Sequence, residues 1–263
     1  MQSLDFSVAY GLSDHVNLRL TVPTQTGTLS WINPDGVRHQ THATGIGDIN
    51  LIATYALWNP RLVSSGNLAV SLGVKAPTGN NSVLGDFGMP DGTVVRTPVH
   101  PGIELGDGGW GIIVQANGYL RIAGNLSGYV FGSYQLSPQD TTDVLFLPLF
   151  PSHMSVPDAY EARIGVAYAL PWWNASLSLG LRTDGVPVHD ILGRSDGYRF
   201  AARTILLDPG VSVRVGPGDF TLSVPVRIHG EFFHPVPLPT GNTELDSGDL
   251  ANLLVFAGYA WRL

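Results

Sequence analysis

The sequence predicts an all-β fold: one antiparallel transmembrane β-barrel spanning 1–263, with about 11 strands visible in this chain and about 12 in the parent protein. Three observations carry this. Segments of roughly ten residues alternate apolar with polar or small side chains from Leu4 to Leu263. Their polar register holds nearly all the basic residues, and the connections between them alternate short with long. In Val16-Asn17-Leu18-Arg19-Leu20-Thr21-Val22, the four apolar residues share one face while Asn17, Arg19 and Thr21 share the other. An arginine in mid-strand is thereby kept from lipid.

In chain order, strands are expected at about 2–11, 16–24, 47–58, 67–77, 109–122, 126–136, 159–170, 174–183, 199–215, 220–230 and 250–263. Short turns fall at Leu12-Ser13-Asp14-His15, Ala123-Gly124-Asn125, Pro171-Trp172-Trp173 and Gly216-Pro217-Gly218-Asp219. Long connections occupy about 24–46, 78–108, 137–158, 184–198 and 231–249. Outer-membrane barrels have short periplasmic turns and long external loops, so the alternation orients every strand. The tally is odd, whereas bacterial single-chain barrels have even numbers. Two readings are open: a strand and a signal peptide precede Met1 in the parent, or a strand is merged near 78–108 or Pro209-Gly210.

Composition agrees. Charged residues make up 13% of the chain, against about 25% in a soluble domain. There are 32 glycines, a single lysine, Lys75, and no run near the roughly 18 apolar residues of a membrane helix. Cysteine is absent, which excludes disulfides and thiolate chemistry, and a net charge of −7 argues against a nucleic-acid partner.

Aromatics sort to the strand ends, as girdles at lipid–water boundaries do. Tyr10, Tyr55, Trp58, Tyr168, Trp172, Trp173, Phe220, Tyr259 and Trp261 lie near short turns; Trp110, Tyr134, Tyr160, Phe200, Phe232 and Phe233 lie near long loops. Between them the outward positions are aliphatic, as in Leu177, Leu179 and Leu181. The ending, with Val255, Ala257, Tyr259, Trp261 and Leu263 on one face, resembles the signal read by the barrel-assembly machinery, with Leu263 in place of the usual aromatic.

The inward register places Arg19, Lys75, Arg121, Arg163, Arg182, Arg214 and Arg227 in the lumen. Arg19, Arg121 and Arg214 form a level near the short turns; the other four lie towards the long loops. Either they line a pore for anionic solutes, or they pair with lumen carboxylates such as Asp5, Asp48 and Glu161. Tyr119, Tyr129 and Phe131 also face inward, beside Gln115, Asn117 and Arg121, as a strip for a flat ligand or as packing. His229 is expected beside Arg227 in the same register.

The long loops are acidic: Asp35, Asp86, Asp91, Glu104, Asp107, Asp140, Asp143, Asp190, Asp196, Glu231, Glu244, Asp246 and Asp249 outweigh Arg38, Arg96 and Arg194. That charge is either solvated or holds divalent ions shared with lipopolysaccharide. Segment 78–108 folds inward as a constriction or caps the mouth. Most histidines, His234 among them, fall in turns or loops, and no spacing singles out a Ser-His-acid set, so no enzyme is expected. His39-Gln40-Thr41-His42 is a weak metal motif.

Four local motifs carry a resemblance: Gly45-Ile46-Gly47-Asp48, Lys75-Ala76-Pro77-Thr78-Gly79-Asn80, Leu105-Gly106-Asp107-Gly108-Gly109-Trp110-Gly111 and Asp208-Pro209-Gly210-Val211. In order and spacing the chain resembles the outer-membrane transporter family of the meta-pathway of phenol degradation. The resemblance implies a bacterial outer-membrane barrel, surrounded by lipid and lipopolysaccharide, that passes small organic solutes passively and uses no cofactor. Lys75 and Asp48 match motif positions. The alternatives are an outer-membrane lipid hydrolase and a closed structural barrel.

Overall fold

The computed structural model describes residues 1–32, 36–89, 91–146, 152–233 and 250–261. Its strands are β1 (Gln2–Gly11), β2 (Val16–Ile32), β3 (Arg38–Ile46), β4 (Ile49–Ala56), β5 (Gly66–Ala76), β6 (Leu84–Gly88), β7 (Val94–Pro98), β8 (Gly111–Ala123) and β9 (Leu126–Leu136). They continue with β10 (Thr141–Phe146), β11 (Ser152–Ser155), β12 (Ala159–Leu170), β13 (Ala175–Val186), β14 (Ala202–Val215), β15 (Gly218–Ser223), β16 (Val226–Phe232) and β17 (Phe256–Trp261). Among the described residues helix is confined to two three-residue 3-10 turns.

Eleven strands follow one another edge to edge in the order β1-β2-β4-β5-β8-β9-β12-β13-β14-β15-β17, every pair antiparallel. This is the predicted meander, curled into a half-barrel. The alternation dictates which face lies where. Outward residues are large, apolar and uncovered: Leu72, Leu120, Ile164 and Leu179 are 62%, 63%, 63% and 49% exposed. The facing register is buried: Ile52, Ser71, Lys75, Ile113, Arg182, Leu206 and Asp208 are all under 9% exposed. Burying the charged register and leaving leucine bare inverts a soluble protein, and it is favourable only where the outer face meets hydrocarbon.

The short-turn belt lies outside as expected, from Tyr10 and Tyr55 to Trp172 and Trp261, all well exposed. The long-loop belt is only partly so. Trp110 is exposed, but Phe200 and Phe232 turn inward and line a cavity.

Four expectations are corrected in detail. Residues 24–32 and 38–46, read as a loop, extend β2 and form β3 as one long hairpin. Polar residues occupy both of its faces because it projects past the apolar band into water, where a two-sided pattern is stable. Segments 78–108 and 137–158 likewise contain the hairpins β6–β7 and β10–β11. The strand expected at 220–230 breaks at Val224-Pro225, since proline cannot donate to the ladder. A bulge beyond that break pairs Leu206 with Arg227 but Ile205 with His229. His229 therefore shares the face of Ile205, facing Glu231 at 4.0 Å rather than Arg227.

Leu179 tests the assignment of the outer face. Leu179→Arg is expected to cost about 2–4 kcal/mol in denaturant unfolding from lipid vesicles. A change within about 0.5 kcal/mol, as for an exposed residue in water, would place that face in solvent.

Candidate functional site: a charge-lined chamber on the inner face

The curled inner face encloses a cavity of about 980 Å³. One wall is β12–β14, with Glu161, Arg182, Asp184 and Thr204; the opposite wall is Leu29 of β2 together with Ile103 and Glu104 of segment 78–108. That segment folds inward. Ile103 and Leu105 pack with Ala43, Val99, Leu29 and Val83 on the inner face of the β2–β3 hairpin, so of the two readings of 78–108 the inward one holds.

Lys75 fastens it. Its ammonium lies 3.2 Å from Asp48 Oδ2 and also pairs with Asp107 Oδ1. Asp48 Oδ1 accepts the Gly79 N–H at 2.9 Å, and Asp107 Oδ1 accepts that of Gly109 at 3.0 Å. Thr78 Oγ1 donates to the Gly47 carbonyl at 2.9 Å. Three motifs far apart in sequence thus meet at one buried cation. Their glycines are needed for the approach: a Cβ on Gly106 would lie 2.5 Å from Asp48 Oδ1, and one on Gly79 would overlap the Leu105 carbonyl.

A second cluster forms the chamber floor. Arg163 Nε meets Glu161 Oε1 at 2.5 Å and its Nη1 lies 3.9 Å from Asp208. Arg182 Nε meets Asp184 Oδ1 at 2.7 Å, with Nη2 3.5 Å from Glu161. Phe256 of β17 lies under both guanidiniums, its ring centre 4.6 Å from Arg182 Cζ and 5.8 Å from Arg163 Cζ. Asp208, from the fourth motif, is buried and accepts a hydrogen bond from Ser223 Oγ.

The remaining expected residues are spread out. Arg227 binds the Leu250 carbonyl and the Asn252 side chain. Arg214 meets Asp219 at 3.3 Å, largely in solvent. Arg19 and Arg121 are exposed, the former opposite Ala9 and Ile52, the latter opposite Ser127. Tyr119 is directly opposite Tyr129, and Phe131 is opposite Asn117 and Arg163. Tyr129 lies flat over Gly165 and Gly180; a Cβ on Gly165 would sit 2.5 Å from its hydroxyl oxygen. The next residue in that row is Asp208.

The mouth is tied by groups that periodicity could not single out. Asp158 is fully buried, its Oδ1 accepting the Ser137 N–H at 2.7 Å and its Oδ2 the Ile191 N–H at 2.9 Å and the Tyr134 hydroxyl at 3.0 Å. Asp190 accepts both Nη groups of Arg199 at 2.6 Å in a buried pair. Asp35, Glu244, Asp246, Asp249, His234 and Leu263 lie outside the described residues. His15 Nδ1 lies 2.7 Å from the Ala56 carbonyl, and Ser13 Oγ accepts the His15 backbone N–H at 3.3 Å rather than meeting its ring. Among the described residues no cluster of metal-ligating side chains forms.

No family model and no curated protein matches the chain. Among solved structures it is similar to a FadL homologue of Pseudomonas aeruginosa, at 13% identity and a TM-score of 0.38 over 86% of this chain. The chain spans 59% of that protein's length.

Two outcomes follow from this geometry. Gly165→Ala should destabilise the sheet by about 1–3 kcal/mol, because the added Cβ meets both the Tyr129 ring and the Leu179 carbonyl, and Tyr129→Ala in the same chain should recover only the ring's share of that loss; additive losses in unfolding titrations would mean that the ring does not occupy the glycine slot. Burial, and then the Asp107 carboxylate, push Glu104 up from 4.5 to about 8. A carboxyl whose folded pKa is raised contributes stability that is full below 4.5 and lost as pH rises through about 8. Exchange of the amides of 103–107 should therefore accelerate between about pH 4.5 and about pH 8 in excess of the intrinsic pH dependence and show no further excess above it, and Glu104→Gln should remove the excess. Persistence of the excess in the Gln variant would assign it to another group.

Proposed function

We propose that the chain is a passive channel of the bacterial outer membrane for small organic solutes that are uncharged and partly apolar. The observation that carries this is the chamber of about 980 Å³ on the buried face of a sheet whose other face is bare aliphatic surface. Arg163 and Arg182 lie within 4.0 Å of carboxylates, as does Lys75, while Arg227 meets the Leu250 carbonyl and the Asn252 side chain, so three of the four upper-level cations are compensated by carboxylates. Passage relies instead on pore width and on the Tyr119, Tyr129, Phe131 strip, with Arg19 and Arg121 as the free charges near the short turns. The convergence of the Gly47-Asp48, Lys75-to-Gly79 and Gly106-to-Gly109 motifs supports kinship with the phenol meta-pathway transporters.

In this reading the barrel sits among lipid and lipopolysaccharide after insertion by the barrel-assembly machinery. Among the described residues β1 and β17 are the edges of the sheet, and they run in the same direction. An antiparallel closure then takes one further strand between them, which is the basis for a twelve-stranded parent. A second reading, a closed structural barrel, draws on the same ion pairs and on the inward fold of 78–108.

Planar-bilayer conductance and liposome swelling decide between them. The full-length protein is expected to conduct with little preference between cation and anion and to admit neutral solutes. Absence of both current and swelling would leave the closed barrel.

A further inference from the structure

Among the described residues, four carboxylates stand in the chamber wall: Glu104, Asp107, Glu161 and Asp184. Three of them are answered. Lys75 holds Asp107, while Arg163 and Arg182 hold Glu161 and Asp184. Glu104 forms neither an ion pair nor a hydrogen bond with any described residue. When it ionises, the chamber therefore gains a negative charge that no adjacent cation cancels.

Its position gives that charge an effect on passing solutes. Beside segment 78–108 lies a second cavity of about 320 Å³, walled by Asp5, Thr21 and Gln25 of β1 and β2 and by Asp48, Leu105 and Gly106. Glu104 and Met1 line both cavities. A solute that leaves the chamber along the β1–β2 wall thus passes the Glu104 carboxyl. A fixed charge at such a junction concentrates ions of opposite sign and excludes those of its own.

The charged groups that share these walls leave Glu104 as the one whose change matters. Asp48 shares Lys75 with Asp107, and Arg199 is buried against Asp190. Burial lowers His100 from 6.5, so it adds no positive charge as pH rises from neutrality. Asp5 accepts a hydrogen bond from Ser3 Oγ at 2.5 Å. Burial, and then Asp107, keep the Glu104 carboxyl neutral up to about pH 8.

We propose that Glu104 sets the ionic selectivity of the lumen: its neutral carboxyl admits small cations and anions alike, and its carboxylate favours cations. This rests on the channel reading and adds to it a residue that decides which ions accompany the neutral solutes. Reversal potentials of the full-length protein in planar bilayers, across a roughly tenfold KCl gradient from about pH 6 to about pH 9.5, test it. The cation-to-anion permeability ratio is expected to rise about threefold, centred at about pH 8. Higher salt should shrink the rise, because screening shortens the reach of a single charge. Glu104→Gln keeps the side chain's size without its charge and should hold the ratio flat.

A constant reversal potential in the unmodified protein would sink this inference and leave the channel standing, and that comparison needs no variant. A rise that persists in the Gln variant would belong to another group in those walls, such as a Met1 α-amino group, and would overturn the assignment to Glu104. Absence of current at every pH would sink the channel and this role together.

Discussion

A strand that shows leucine to hydrocarbon must still pair every backbone N–H and carbonyl, and only a neighbouring strand can do so. The continuous antiparallel ladder from β1 to β17 meets that demand along its length, and the rest of the molecule follows from it. Because the ladder fixes a two-residue side-chain period, each residue is committed to lipid or to the interior with no intermediate choice. Most charges on the spanning strands are therefore delivered to the inner face, Arg203 and Glu231 at the long-loop end being a pair on the other.

Charges crowded on a concave surface must then neutralise one another. Lys75 with Asp48 and Asp107, and Arg163 and Arg182 with Glu161, Asp184 and Asp208, do so through short contacts between strands and loops. Such buried pairs are weak sources of net stability, because desolvation offsets attraction. Their effect here is geometric. Lys75 holds segment 78–108 against the β2–β3 hairpin, and that placement supplies the second wall without which the inner face would be an open trough. The mouth is held in the same manner by Asp158, Asp190 and Arg199, whose carboxylates gather backbone N–H groups from two loops.

The site was legible in the sequence only in part, and the division has a physical cause. The inward placement of Lys75, Arg163 and Arg182 follows from period two, and on the inner face Lys75 and Arg182 are buried and Arg163 half-buried. Their partners follow from nothing local: Asp107 and Asp48 are 59 residues apart in the chain yet share one ammonium. Phe256 reaches Arg182 because the sheet curls, a property of accumulated strand twist that no single segment expresses. Residues 24–32 and 38–46 read as loop because the lipid-facing signal ends at the membrane boundary while the hydrogen-bonded ladder continues through water.

The sequence by itself determined the class of fold, the number of strands in the meander, which face of each meets lipid, and where most turns fall. All of these depend on side-chain periodicity and turn chemistry within a few residues. The tertiary structure decided which carboxylate answers which cation, how far the hairpins project, that a bulge turns His229 away from Arg227, and that 78–108 closes a chamber rather than capping it. Those outcomes depend on distances between residues remote in the chain, set only once the sheet has curled and its loops have found partners.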